Sequence, residues 1–143
     1  MNWEECLKLN MVEKRTKDEE LAKSLLKIAV ERFNFFSTKN ISLFTLEGIY
    51  EAIMELCHAA LALEGFKTIS HECAIEFLRG RYISDDEVEF LHRLRKKRHS
   101  IKYYGRILSE ESIKRNVEKG KELFLKLRPK VEENLFTWKK KIF

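Results

Sequence analysis

The sequence predicts an all-α protein, an up-and-down four-helix bundle with one or two short additional helices, and three observations carry that prediction. One proline and five glycines in 143 residues leave few places to turn, so long elements joined by few loops are expected. Apolar residues recur at spacings of three and four over most of the chain, and clean period-two alternation appears nowhere. Ser- or Thr-led starts and glycine stops punctuate these stretches at helical lengths. With 44% hydrophobic and 36% charged residues, no internal repeat and no low-complexity linker, residues 1–143 are expected to form one domain.

The first expected helix runs from Asn2 to about Lys14 and carries Trp3, Cys6, Leu7, Met11 and Val12. Thr16-Lys17-Asp18-Glu19 has the spacing of a capping box, in which a hydroxyl and a carboxylate satisfy free amides at a helix start. Ala22, Leu26, Ala29, Phe33 and Phe36 follow as an amphipathic stripe, widened by Leu21, Leu25 and Ile28, ending near Ser37 to Asn40. A third helix begins around Ser42–Thr45, is apolar on most sides through Leu63, and therefore belongs in the middle of the bundle. Gly65 stops it. Ser70 opens a short helix through Ala74, Phe77 and Leu78, closed by Gly80. Ser84-Asp85-Asp86-Glu87 is a second capping box, leading into a basic helix that Gly105 ends or bends. Ser109 opens the last helix, with Ile113, Val117, Phe124, Leu127, Val131 and Trp138 on one face. Pro129 is expected to kink or split it, because proline lacks the amide that the ladder needs. The apolar faces over Ala22–Phe36 and Ile113–Trp138 exceed what one small bundle needs, which predicts a homodimer.

Several function classes are excluded. The longest purely apolar run, Ala59 to Leu63, falls far short of the roughly 20 residues that span a bilayer, so no membrane association is expected. Cys6, Cys57 and Cys73 are odd in number and scattered; they imply no disulfide framework, and a reducing cytoplasm is the expected location. Cys57-His58 and His71-x-Cys73 match no paired-ligand zinc spacing, so no metal is expected. No Gly-rich phosphate loop, nucleophile elbow or paired-carboxylate signature is present, so no cofactor is expected and the chain is not itself a nucleotidyltransferase. Phe33, Phe35 and Phe36 fit a core better than a ligand box.

The net charge of +5 is bunched. From His92 to Arg106, fifteen residues hold seven Lys or Arg together with two histidines and two tyrosines. Cations neutralise phosphates and aromatic rings stack on bases, so Arg93, Arg95, Lys96, Lys97, Lys102 and Arg106 are candidate nucleic-acid contacts; the bland alternative is a solvated basic face. At roughly 100° per residue, Leu91, Leu94 and Ile101 define an apolar arc. Arg98 falls inside that arc, while Arg93, Lys96 and Lys97 point away. An inward arginine is costly unless paired, so Arg98 is either a functional residue or a structural ion pair with a carboxylate such as Glu55 or Glu64.

Leu94 to Gly105 (Leu-Arg-Lys-Lys-Arg-His-Ser-Ile-Lys-Tyr-Tyr-Gly), within a helical pattern covering nearly the whole chain, resembles HEPN-domain proteins of the nucleotidyltransferase-associated type. The family pattern is an Arg, then a polar residue, and a His four to six residues after the Arg. On it, Arg98 matches the arginine and His99 the polar residue, and the closing position falls at Tyr103, Tyr104 or Gly105, none of them histidine. A literal alternative pairs Arg93 with His99, but on one helix these point roughly 120° apart. The resemblance implies a dimer working beside a minimal nucleotidyltransferase in a toxin–antitoxin-like or nucleotide-modifying pair. Active members are metal-independent ribonucleases, in which Arg98 and His99 would serve the phosphate and Tyr103 or Tyr104 would stack on a base or donate a hydrogen bond. Without the closing histidine, the alternatives are a non-catalytic RNA- or substrate-binding subunit and a purely structural helical dimer.

Overall fold

A computed structural model of the protein describes residues 1–142, with side chains as far as Phe136; the expected apolar position Trp138, Lys139–Lys141 and Phe143 lie outside the described side chains. Six helices hold about 75% of the residues: α1 (Trp3–Lys8), α2 (Glu19–Ser37), α3 (Leu43–Glu64), α4 (His71–Leu78), α5 (Asp85–Tyr104) and α6 (Glu110–Ile142). α2, α3, α5 and α6 are the four principal helices of an all-α bundle, and α1 and α4 are the short additions.

The starts follow from side-chain chemistry. Ser42 and Ser84 accept hydrogen bonds from the amides of Thr45 and Glu87, whose side-chain oxygens in turn accept from the serine amides, so both α3 and α5 begin on complete capping boxes. Ser70 caps α4 and Ser109 accepts from the Ser112 amide before α6. At α2 the cap is Asp18, accepting from Leu21 at 3.0 Å, and not Thr16. The carboxylate wins because Asp18 itself has extended backbone one residue before the first helical turn.

The topology is read from cross-helix pairs. On α2 and α3, Arg32 meets Glu55 (2.6 Å) and the Phe36 ring lies against Gly48, so the two run antiparallel. On α5 and α6, Lys126 reaches Glu87 (2.9 Å) and Lys119 sits 5.1 Å over the Phe90 ring, again antiparallel. α3 is the centre, with 15 of its 22 residues buried. The near absence of a polar face on this helix is satisfied by α2, α4 and α6 packing around it. Gly48 and Gly120 mark where neighbours come closest: a Cβ on Gly48 would collide with the Phe36 ring, and one on Gly120 would sit 3.0 Å from Ile49.

Five expectations are corrected. The first helix stops at Lys8, because Asn10 takes a left-handed conformation and turns the chain away. Beyond it, Glu13–Lys14 (β1) pairs antiparallel with Phe66–Lys67 (β2), a ladder too short to leave any alternation in the sequence. Leu21 and Ile28 are exposed, since α3 and α6 cover only the Ala22, Ala29 and Phe33 side of α2. α6 is not split at Pro129, which is exposed, as is Leu125 one turn earlier.

The fifth correction is chemical. Cys6 and Cys73 are joined by a disulfide across 67 positions of sequence, leaving Cys57 as the free thiol. Distance along the chain concealed the pairing, because α1 folds back onto α4 around a small satellite core of Cys6, Val12 and Cys73 flanked by Trp3, Leu7 and Phe66. The amides of Arg15 and Asp18, donating to the carbonyls of Gly65 and Ala62, hold the rest of this N-terminal segment along the end of α3.

Candidate nucleic-acid interface

α5 places the candidate residues on two sides. Val88, Leu91 and Leu94 are buried, and the polar residues beside that stripe recur at three-residue intervals: His92, Arg95 and Arg98. This side faces α4 and α3. Arg98 lies 3.0 Å from Glu51 and its guanidinium sits 5.8 Å from the centre of the Tyr50 ring, with both ion-pair side chains 35% exposed. The inward-pointing arginine is therefore paired, but with Glu51; of the two expected partners, Glu55 is taken by Arg32.

One turn back, Arg95 donates from Nε to Nδ1 of His92 (3.4 Å) and approaches Glu72 at 4.0 Å. His92 in turn donates from Nε2 to Glu76 at 2.6 Å, and Arg79 closes on the same carboxylate at 2.9 Å. Burial alone would raise the Glu76 carboxyl, yet the hydrogen bonds from Arg79 and His92 outweigh it and hold the group below its ordinary value. A polar cleft of about 560 Å³ opens here, lined by Glu72, Glu76, Arg79, His92 and Arg95 among others.

Tyr50, on α3, is 2% exposed and its hydroxyl is hydrogen-bonded to Nδ1 of His71, the first residue of α4, at 2.9 Å. Burial, reinforced by Cys57, pushes that phenol well above its ordinary range, so it stays protonated. Burial also lowers His71; Glu51 opposes the shift, and Arg98 and Arg95 add to it. His58, behind it on α3, is lowered by burial and by His71. Burial pushes the Cys57 thiol up to about 12, which leaves it unreactive.

These shifts fix a pH dependence. Both histidines take up protons at lower pH in the folded protein than in the unfolded chain, where they do so near their ordinary value of 6.5. Their contribution to stability is complete above pH 6.5 and is lost as pH falls below it; the lowered Glu76 extends the loss below its ordinary 4.5. Thermal melts should show the melting temperature falling from pH 7.5 to pH 5. A melting temperature that rises over that interval would contradict the assignment.

The other side of α5 faces water. Arg93, Lys96, His99, Lys102, Tyr103, Tyr104 and Arg106 are exposed and Lys97 is half-buried. Tyr103 and Tyr104 are 63% and 70% exposed. The His99 ring centre lies 4.5 Å from that of Tyr103 and 6.0 Å from that of Tyr104, and Lys102 reaches to 5.5 Å over the Tyr103 ring. Arg98 is thus turned toward Glu51, while His99, Tyr103 and Tyr104 cluster on the solvent side. The four residues expected to act together do not converge on one point.

Tyr50, Glu51 and His71 belong to the candidate site and were not anticipated. Nothing local marks them, since each becomes relevant only when α3 and α4 are laid against α5. The chain matches no protein-family model, and no curated protein and no solved structure shows significant similarity to it.

Proposed function

We propose that the protein is a HEPN-like helical module that binds single-stranded RNA along the C-terminal half of α5 and does not cleave it. The observation that carries this reading is the exposed array of His99, Lys102, Tyr103 and Tyr104, in which aromatic faces and cations alternate on open surface. Stacking on a tyrosine face is tolerant of base identity, and neighbouring cations supply phosphate contacts, which is the chemistry of single-strand binding. Arg98, held by Glu51 at the edge of this array, anchors it with a fixed guanidinium. Cleavage is not part of the reading, because no imidazole stands at Tyr103 to Gly105 and a phenol is a poor base at neutral pH.

A minimal nucleotidyltransferase partner and a homodimer belong to the same reading. The first rests on the Arg98–Gly105 motif. The second is supported by Leu21, Ile28 and Phe35, exposed at seven-residue intervals along α2. A cytoplasmic location is also part of it; both sulfurs of the Cys6–Cys73 bond are fully buried, which shields the bond from attack by thiols.

Titration of a single-stranded RNA decides the matter. About five to seven phosphate contacts give a log–log salt slope of roughly −3 to −5. Replacing Lys96, Lys97 and Lys102 together with alanine should flatten that slope without unfolding the protein, and Arg98→Ala should weaken binding about tenfold, the loss of one charge-assisted contact. Binding that ignores salt, or is absent at 50 mM salt, would leave α5 a solvated basic face, and an Arg98→Ala defect confined to melting temperature would make Arg98 a purely structural ion pair.

A further inference from the structure

The charge along α5 reverses once. Asp85, Asp86, Glu87 and Glu89 occupy its beginning without a single cation, and from Arg93 to Arg106 every acidic or basic side chain other than histidine is Lys or Arg. A polyanion lying over the basic half loses its surplus of cations if it continues toward Glu89, where Glu72, Glu76, Asp85 and Glu89 line a cleft and Arg79 is already paired with the last three of them. A bound strand therefore has reason to end before that point.

Three donors stand at the place where it would end. Arg98 and Arg95 project from one side of α5 toward α3 and α4, and His71 opens α4 with its Nδ1 taken by Tyr50. When the phenol donates to Nδ1, the neutral ring carries its remaining proton on Nε2, where it can donate to a ligand. Arg98 lies 5.8 Å from the centre of the Tyr50 ring, whose hydroxyl is bonded to His71, and Arg95 stands 4.0 Å from Glu72, the residue after His71, which puts the three groups in one neighbourhood. The amino end of α4 adds its positive dipole. The resident carboxylates leave these cations open to a further ligand: Glu51 fixes Arg98 at 3.0 Å but both side chains remain 35% exposed, and Glu72 stands 4.0 Å from Arg95.

We propose that Arg95, Arg98 and His71 form a receptor for the terminal phosphate of an RNA strand whose body lies over Tyr103 and Tyr104. The proposal rests on the RNA-binding reading above. A terminal monoester suits the place better than an internal diester does. It carries close to two negative charges at neutral pH and three free oxygens, enough to engage two guanidinium groups and an imidazole N–H together. The terminus also needs no path onward across the acidic beginning of α5.

The test is calorimetric titration of one ten-nucleotide single-stranded RNA in three forms: 5′-phosphorylated, 3′-phosphorylated, and with hydroxyls at both ends. One phosphorylated form should bind about tenfold more tightly than the hydroxyl form, the gain of roughly one additional charge-assisted contact, and which form wins reports the strand's polarity. Arg95→Gln and His71→Asn, checked for native helicity, should reduce that preference to about twofold or less. Glu72→Gln, which removes the carboxylate competing for Arg95, should enlarge it, so the proposal does not depend on one variant folding. Equal affinity for all three forms, with a steep salt dependence, overturns the terminal-phosphate receptor and leaves RNA binding standing. No binding by any form overturns both. A preference that survives Arg95→Gln and His71→Asn places the receptor elsewhere and overturns the assignment.

Discussion

Phe124→Ala should lower the free energy of unfolding by about 3–5 kcal/mol, the range for deleting a buried aromatic from a packed core. Phe124 is fully buried, and its ring stacks on Phe33 with centres 4.1 Å apart and planes 6° from parallel. That contact fastens α6 to α2, so truncation loses the transfer energy of the ring, strands one face of Phe33, and leaves a void bounded by helices that cannot close on it cheaply. Leu125 is the internal control: it is the next residue on the same helix but 57% exposed, and Leu125→Ala should change stability by no more than about 0.5 kcal/mol. Chemical denaturation of the two variants beside the wild type measures both values. Equal effects would mean that α6 does not dock through Phe124.

The second large effect concerns the cross-link. Joining residues 6 and 73 closes a loop of 67 positions, and in the chain-entropy account this stabilises the folded state by about 4 kcal/mol at 25 °C. Cys6→Ala/Cys73→Ala should therefore shift the denaturation midpoint substantially, and wild-type protein unfolded in a dithiol reductant should approach the variant. The loss should fall first on α1 and β1. Their satellite core is small, and beyond it they are held by Trp3 against Phe66 and Phe77 and by a two-residue ladder. Hydrogen exchange in the reduced protein should accordingly rise over residues 1–14 before it rises in α3. A difference below about 1 kcal/mol would show that these docking contacts already restrict the chain and that the bond adds little.

Much of the architecture was legible because its causes are local. Ser42, Ser70, Ser84 and Ser109 announce helix starts by accepting from amides three residues away. Gly65 and Gly105 announce stops because their positive φ angles, 79° and 61°, are strained for other residues. The burial of α3 on nearly every side follows from composition alone. The start of α2 differs: the Thr16–Glu19 spacing of a capping box is present, but Asp18, with extended backbone just before the first turn, supplies the cap. Pro129 does not split α6, since on an exposed turn the missing amide costs one ladder bond without ending the helix.

The candidate site divides the same way. Helical period alone turned Arg98 inward and Arg93 and Lys96 outward, since angle around a helix depends only on residue number. Its partner could not be named so, because Glu51, Glu55 and Glu64 are all carboxylates on α3 and the choice among them depends on the register between two helices distant in sequence. The pairing of Cys6 with Cys73 and the approach of His71 to Tyr50 have the same origin. Periodicity and capping are properties of a few consecutive residues and are written in the sequence directly. Which carboxylate meets which arginine, which thiols meet, and which imidazole stands beside α5 are settled only when the whole apolar surface of α3 is buried at once, and that is a property of the packed bundle.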